Sequence, residues 1–153
     1  MKKKTKKRIR AAGTVLFLLY LLALGYFLFF AEEYGRADAG RAYSYNLEPF
    51  REIRRFWDNR EILGTFAVFT NLAGNILGFL PFGAILPVIS RSARGIIRIT
   101  LLSLEFSFLM ECFQLIFRVG SFDVDDLILN TLGGILGYFL FFICDKIRRK
   151  LYG

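Results

Sequence analysis

Four stretches of this chain are apolar over a length that suits a lipid bilayer, and they leave room for few other folds. Residues 9–30, 66–89, 99–117 and 127–144 each supply about the twenty residues a helix needs to cross the hydrocarbon core. No charged residue occurs from Ala11 to Phe30, from Phe66 to Ile89 or from Leu127 to Cys144. A soluble domain of 153 residues that is 55% hydrophobic, with 18 phenylalanines, has too little interior to hide that surface. The expectation is a single all-α membrane domain over residues 1–153, a bundle of four transmembrane helices.

Charge placement sets the orientation. Lys2, Lys3, Lys4, Lys6, Lys7, Arg8 and Arg10 flank the first span, Arg91, Arg94 and Arg98 lie between the second and third, and Lys146, Arg148, Arg149 and Lys150 follow the fourth. The 31–65 connection is near neutral and the 118–126 turn is acidic. The positive-inside rule then puts both termini in the cytoplasm and the acidic turn outside. The net charge of +8 is thereby a membrane signal, and nucleic acid is not an expected partner. The first apolar core is too long for a signal peptide, and Phe29-Phe30-Ala31-Glu32-Glu33 is a poor cleavage site, so a retained first helix is expected. Pro49 suits a first helical position. Phe50, Ile53, Phe56 and Trp57 recur at helical spacing opposite arginines, which predicts a short amphipathic helix at the interface within 46–60, anchored by Trp57. A loop folded over the bundle is the alternative.

The second span carries Asn71 and Asn75 one turn apart, Gly74 and Gly78 as a small-x-x-x-small pair, and Pro81. Such a face suits close helix contact. Pro81 removes the bond to the Leu77 carbonyl, which predicts a kink. The run Asn71-Leu-Ala-Gly74-Asn-Ile-Leu-Gly78-Phe79 reappears as Asn130-Thr-Leu-Gly133-Gly-Ile-Leu-Gly137-Tyr138. Both spans run in the same direction, so a two-fold parallel repeat is one reading; convergence of small-residue membrane helices is the other. Gly74, Gly78, Gly133 and Gly137 are the candidate packing glycines.

Ser107, Glu111, Gln114 and Arg118 fall at i, i+4, i+7 and i+11, one stripe of a helix. Such a stripe is costly in lipid unless it faces a partner or a wet cavity. One layer at the outer side therefore collects Asn71, Asn75, Glu111, Gln114, Arg118, Asp123, Asp125, Asp126 and Asn130. Three uses compete. In a structural use, Glu111 pairs with Arg118, Gln114 bonds Asn71 or Asn130, and Asp125 and Asp126 cap the fourth helix. In a second, the layer binds a polar headgroup or peptide. In the third, Asp123, Asp125 and Asp126 offer hard oxygen ligands for Mg²⁺ or Ca²⁺ and Glu111 serves as acid or base. Nothing in the residues calls for a cofactor. Glu105, mid-span and off the stripe, is a further ionisable candidate. Without histidine, imidazole catalysis is excluded within the chain. Cys112 and Cys144 fall near opposite faces, beyond the roughly 7 Å reach of a disulfide.

Three blocks of residues resemble the VanZ-like family of small bacterial membrane proteins. They are Asn46-Leu-Glu-Pro49-Phe50; Asn71-x-x-Gly74-Asn75-Ile-Leu-Gly-Phe79-x-Pro81-Phe82-Gly83; and Glu111-x-x-Gln114 with Arg118, Asp123-x-Asp125-Asp126 and Asn130-x-x-Gly133-x-x-x-Gly137-Tyr138. Val119 and Gly120 depart from the pattern by separating Arg118 from Ser121-Phe122-Asp123. The resemblance implies a multi-pass protein of Gram-positive-type cell membranes, associated with reduced susceptibility to teicoplanin and related glycopeptides. It implies a phenotype and a location, not a reaction.

The leading expectation is a non-enzymatic envelope protein that binds a polar headgroup, a lipid-linked wall precursor or a glycopeptide at the outer leaflet. The alternatives are a divalent-cation-dependent membrane enzyme acting on lipid-linked phosphate or glycan, and an assembly partner of another membrane protein or of a second copy.

Overall fold

The computed structural model of the chain describes residues 3–30 and 43–152, and within them all side chains except those of residues 3, 28–30, 63, 65, 67, 70, 71 and 152. Glu32, Glu33, Arg36, Asp38 and Arg41 of the long connection, and the side chain of Asn71, lie outside the described residues. The described residues form six helices: α1 (Lys3–Phe30), α2 (Arg51–Asp58), α3 (Arg60–Leu63), α4 (Thr65–Ile89), α5 (Ile96–Phe117) and α6 (Val124–Tyr152). Four of them, α1, α4, α5 and α6, are long and apolar enough to cross a membrane. Each includes its expected span, and α1 and α6 continue as helix into the basic flanks. Among the described residues two two-residue strands interrupt the helical plan: β1 (Tyr45–Asn46) and β2 (Phe122–Asp123), paired in parallel with Asn46 opposite Asp123.

The burial pattern is inside out. Among the described residues, eight polar or charged side chains are buried, against six hydrophobic ones. The surface carries Leu22, Phe27, Leu77, Phe139 and Phe142, all exposed. In water such a surface would be an aggregation liability; against lipid it is the expected exterior.

Helices α4 and α6 form the closest contact, α5 packs on α6, and α1 leans chiefly on α4. The α4–α6 seam is made by glycine. A Cβ on Gly133 would lie 2.2 Å from the Ile76 carbonyl oxygen, and one on Gly137 would lie 2.0 Å from that of Leu80. Gly83 and Gly134 are equally tight, against the Gly134 carbonyl and the Ser103 hydroxyl. With no side chains between them, the two backbones come into direct contact, the geometry small residues permit in membranes. Gly78 faces α1 instead: its carbonyl accepts the Tyr20 hydroxyl at 2.9 Å. A Cβ on Gly74 would meet nothing within 4 Å among the described residues. The corresponding glycines Gly74 and Gly133 thus have different surroundings. Phe82 stacks on Phe106 at 5.0 Å between ring centroids and also meets Phe17, tying α1, α4 and α5 together.

One local expectation changes. Pro49 is not the first helical residue; it lies in the turn before α2, and Phe50 occupies the cap in the left-handed region at φ 65°. Helix α4 runs through Pro81 and Pro87 as one element.

Candidate functional site at the acidic end

The sequence ends α5 at Arg118, re-enters at Val124, and places three aspartates at that junction. Asp123 Oδ1 accepts the Asp125 N–H at 2.8 Å, so Asp123 caps α6. The same oxygen accepts the Asn46 amide at 3.0 Å, which binds the 43–50 segment to the junction beside the β1–β2 pair. Behind it, Glu111 Oε2 accepts the Asp123 backbone N–H at 2.9 Å.

Asp125, 1% exposed, turns away from its own helix. Its carboxylate accepts the backbone N–H groups of Phe50 (2.5 Å), Glu52 (2.8 Å) and Ile53 (3.0 Å). These are the orphan donors at the start of α2, and a carboxylate there also meets the positive end of the helix dipole. Asp126 accepts the Asn75 amide of α4. The expected capping of the fourth helix by Asp125 and Asp126 is therefore corrected. Asp123 does that work, Asp125 caps α2 from across the chain, and Asp126 holds α4.

Ser107, Glu111 and Gln114 are buried on one stripe of α5, joined by Ser103 one turn earlier. Asn130 donates to the Ser107 hydroxyl at 2.9 Å. Arg118 departs from the stripe. It terminates α5 in the left-handed conformation at φ 56°, and its guanidinium lies 4.6 Å from the Tyr43 ring centroid instead of pairing with Glu111. Glu105 faces outward with Leu101 and Phe108, away from this cluster.

A cleft of about 180 Å³ opens where α2, α4, α6 and the 118–123 turn meet. Asp123, Asp125, Asp126 and Glu52 line it, with the Asn75 and Gln114 amides and Arg55. Arg55 is also held to Glu52 at 2.7 Å. Burial pushes the Asp123 carboxyl above the usual carboxylate range, against hydrogen bonds from Asp125 and Asn46 that pull it down. Among the described residues no group of three Asp, Glu or Cys side chains is disposed to hold a metal ion, and the three aspartates are spread over three different structural bonds. What the cleft offers is a concentration of carboxylate and amide oxygens suited to an ammonium or hydroxyl group. Asn46, Glu52 and Arg55 joined the site only in three dimensions. Asn46 had a signal in its Asn-Leu-Glu-Pro-Phe block, whereas Arg55 read simply as the polar side of α2.

An inside-out array of four bilayer-length helices, with hydrogen-bonded polar groups collected at one end, defines a small multi-pass membrane protein. The chain belongs to the VanZ/LLP1 family, whose profile matches residues 17–145. It is similar to Protein VanZ of Enterococcus faecium, with 31% identity over 133 residues that cover 86% of this chain and 74% of that protein. No solved structure matches it.

Proposed function

We propose that the acidic end is an outward-facing receptor for the polar head of an envelope molecule, acting by binding and not by turnover. The supporting observation is the cleft at the junction of α2, α4 and α6, with carboxylates on its wall and helix α2 closed over it by Asp125. Its volume of about 180 Å³ suits an amine-bearing or hydroxyl-bearing group, not a whole glycopeptide, so the bulk of such a ligand lies beyond the mouth. Lipid-linked wall precursors and glycopeptides of the teicoplanin type both carry groups of this chemistry. The orientation that this reading needs comes from the basic flanks of α1 and α6, from Arg91 and Arg94 between α4 and α5, and from Arg98 in the first turn of α5, which favour the cytoplasmic side.

Native mass spectrometry of the full chain, released from membranes in mild detergent, tests the reading. A retained headgroup-bearing molecule or added teicoplanin should be lost in Asp126→Asn and Glu111→Gln, with drug susceptibility of cells changing in parallel. Equal retention by wild type and both variants would end this assignment.

A further inference from the structure

The opposite end of the molecule holds a larger cleft, about 960 Å³, between the start of α1, the turn after α4 and the end of α6. Among the described residues, eight cationic side chains and one carboxylate, Asp145, line it. Asp145 is already engaged by Arg148 and, at 2.7 Å, by Arg149. Among the described residues, Lys4, Lys6, Lys7, Arg10, Arg91 and Arg94 have no other carboxylate in the cleft wall. Six like charges around one concavity repel each other unless an anion sits among them. The wall below the charges is apolar, formed by Ile9, Val88 and Phe141. Arg94 is fixed at the boundary: its Nε donates to the Pro87 carbonyl at 2.9 Å, and its guanidinium lies 5.4 Å from the Phe141 ring centroid. This leaves its terminal nitrogens to the cleft.

We propose that this cleft seats the phosphate headgroup of an anionic phospholipid from the leaflet at the basic end. The charges would receive the phosphodiester and the Ile9–Val88–Phe141 wall the upper part of an acyl chain. Helix α1 packs chiefly on α4, and the cleft lies between its start and the end of α6. Basic pockets between membrane helices recognise anionic headgroups in this way, each cation near the surface strengthening binding by roughly 1 kcal/mol, or about fivefold. The proposal is independent of any ligand at the acidic end.

The test uses the full chain in nanodiscs of phosphatidylcholine containing a minority of phosphatidylglycerol, with retained lipid counted by native mass spectrometry. Lys7 and Arg91 are exposed, so Lys7→Gln/Arg91→Gln should leave folding intact, checked by an unchanged melting temperature. Wild type should retain phosphatidylglycerol selectively, and the double variant should lose retention by about twenty-five-fold. Lys7→Arg/Arg91→Lys should restore it. Arg98→Gln removes a nearby charge outside the cleft, in the first turn of α5, where Arg98 donates to the Ser92 carbonyl, and should retain lipid as wild type does. Equal retention of both lipids, or equal loss in Arg98→Gln and in the double variant, overturns the site. Displacement of the lipid by millimolar inorganic phosphate would make the occupant a free anion and overturn the lipid assignment.

Discussion

Asp125 accepts the backbone N–H of Glu52 at 2.8 Å across 73 positions of sequence, and with it the first turn of α2. An eight-residue helix is too short to persist on its own propensity. Its start is therefore held by a carboxylate belonging to the last membrane-length helix, so α2 and the cleft form together or not at all.

Loss of that carboxylate should release α2. Asp125→Ala removes the acceptor of three N–H groups and is expected to destabilise the protein by about 3 kcal/mol, since bonds to a charged acceptor are worth roughly 1.5–3 kcal/mol each but are not additive. Hydrogen exchange should quicken over residues 50–58 while α4 and α6 stay protected. Unchanged protection over that segment would show that something other than Asp125 holds the helix.

The glycine seam yields a paired prediction. Gly137→Ala places a methyl group 2.0 Å from the Leu80 carbonyl oxygen, forcing α4 and α6 apart at a cost of about 3 kcal/mol or more. Gly74→Ala meets no neighbour among the described residues and should be neutral or stabilising by up to about 1 kcal/mol. Thermal unfolding in one detergent compares the two; similar melting temperatures would refute the seam.

Asp123 should make stability depend on pH. Its native value is raised, chiefly by burial, above the unfolded value of about 3.9. Folding therefore disfavours the ionised form. That penalty is complete above the raised native value, shrinks as pH falls through it, and vanishes below about 3.9. Asp123→Asn keeps an oxygen for the Asn46 and Asp125 donors and abolishes the titration. Wild type should gain stability relative to Asp123→Asn as the medium is acidified through that window, read from melting curves of both proteins. A difference that stays constant with pH would contradict the burial argument.

Arg118 separates backbone from side chain. Its left-handed conformation suits glycine, so Arg118→Gly should be more stable than Arg118→Ala by about 1 kcal/mol, both having lost the stacking on Tyr43. In a chain of this size that is a melting difference of about 2–4 °C. Equal melting of the two variants would show that the cap is not strained.

Much of the architecture was legible in the residue order, because the constraint behind it is local. Twenty apolar residues must be helical in lipid, since no water is present to satisfy a bare backbone, and the four spans follow from hydropathy alone. Ser107, Glu111 and Gln114 were recognisable as one buried stripe for the same reason: helical periodicity is a property of the segment itself. The amphipathic pattern around Phe56 likewise announced α2, although its first turn began two residues later than Pro49 suggested.

What the chain order determined by itself was this set of apolar rods, the polar stripe on one of them, and the clustering of carboxylates at a single junction. Only the tertiary structure decided that Asp125 caps α2 while Asp123 caps α6, that Arg118 stacks on Tyr43, that Gly137 is jammed and Gly74 is open, and that Arg55 borders the cleft. The physical reason is that a hydrogen bond or a backbone contact depends on which atoms converge within about 3 Å, and convergence is set by how distant helices pack. A pattern along one segment states which face must be covered; it carries no information about what covers it.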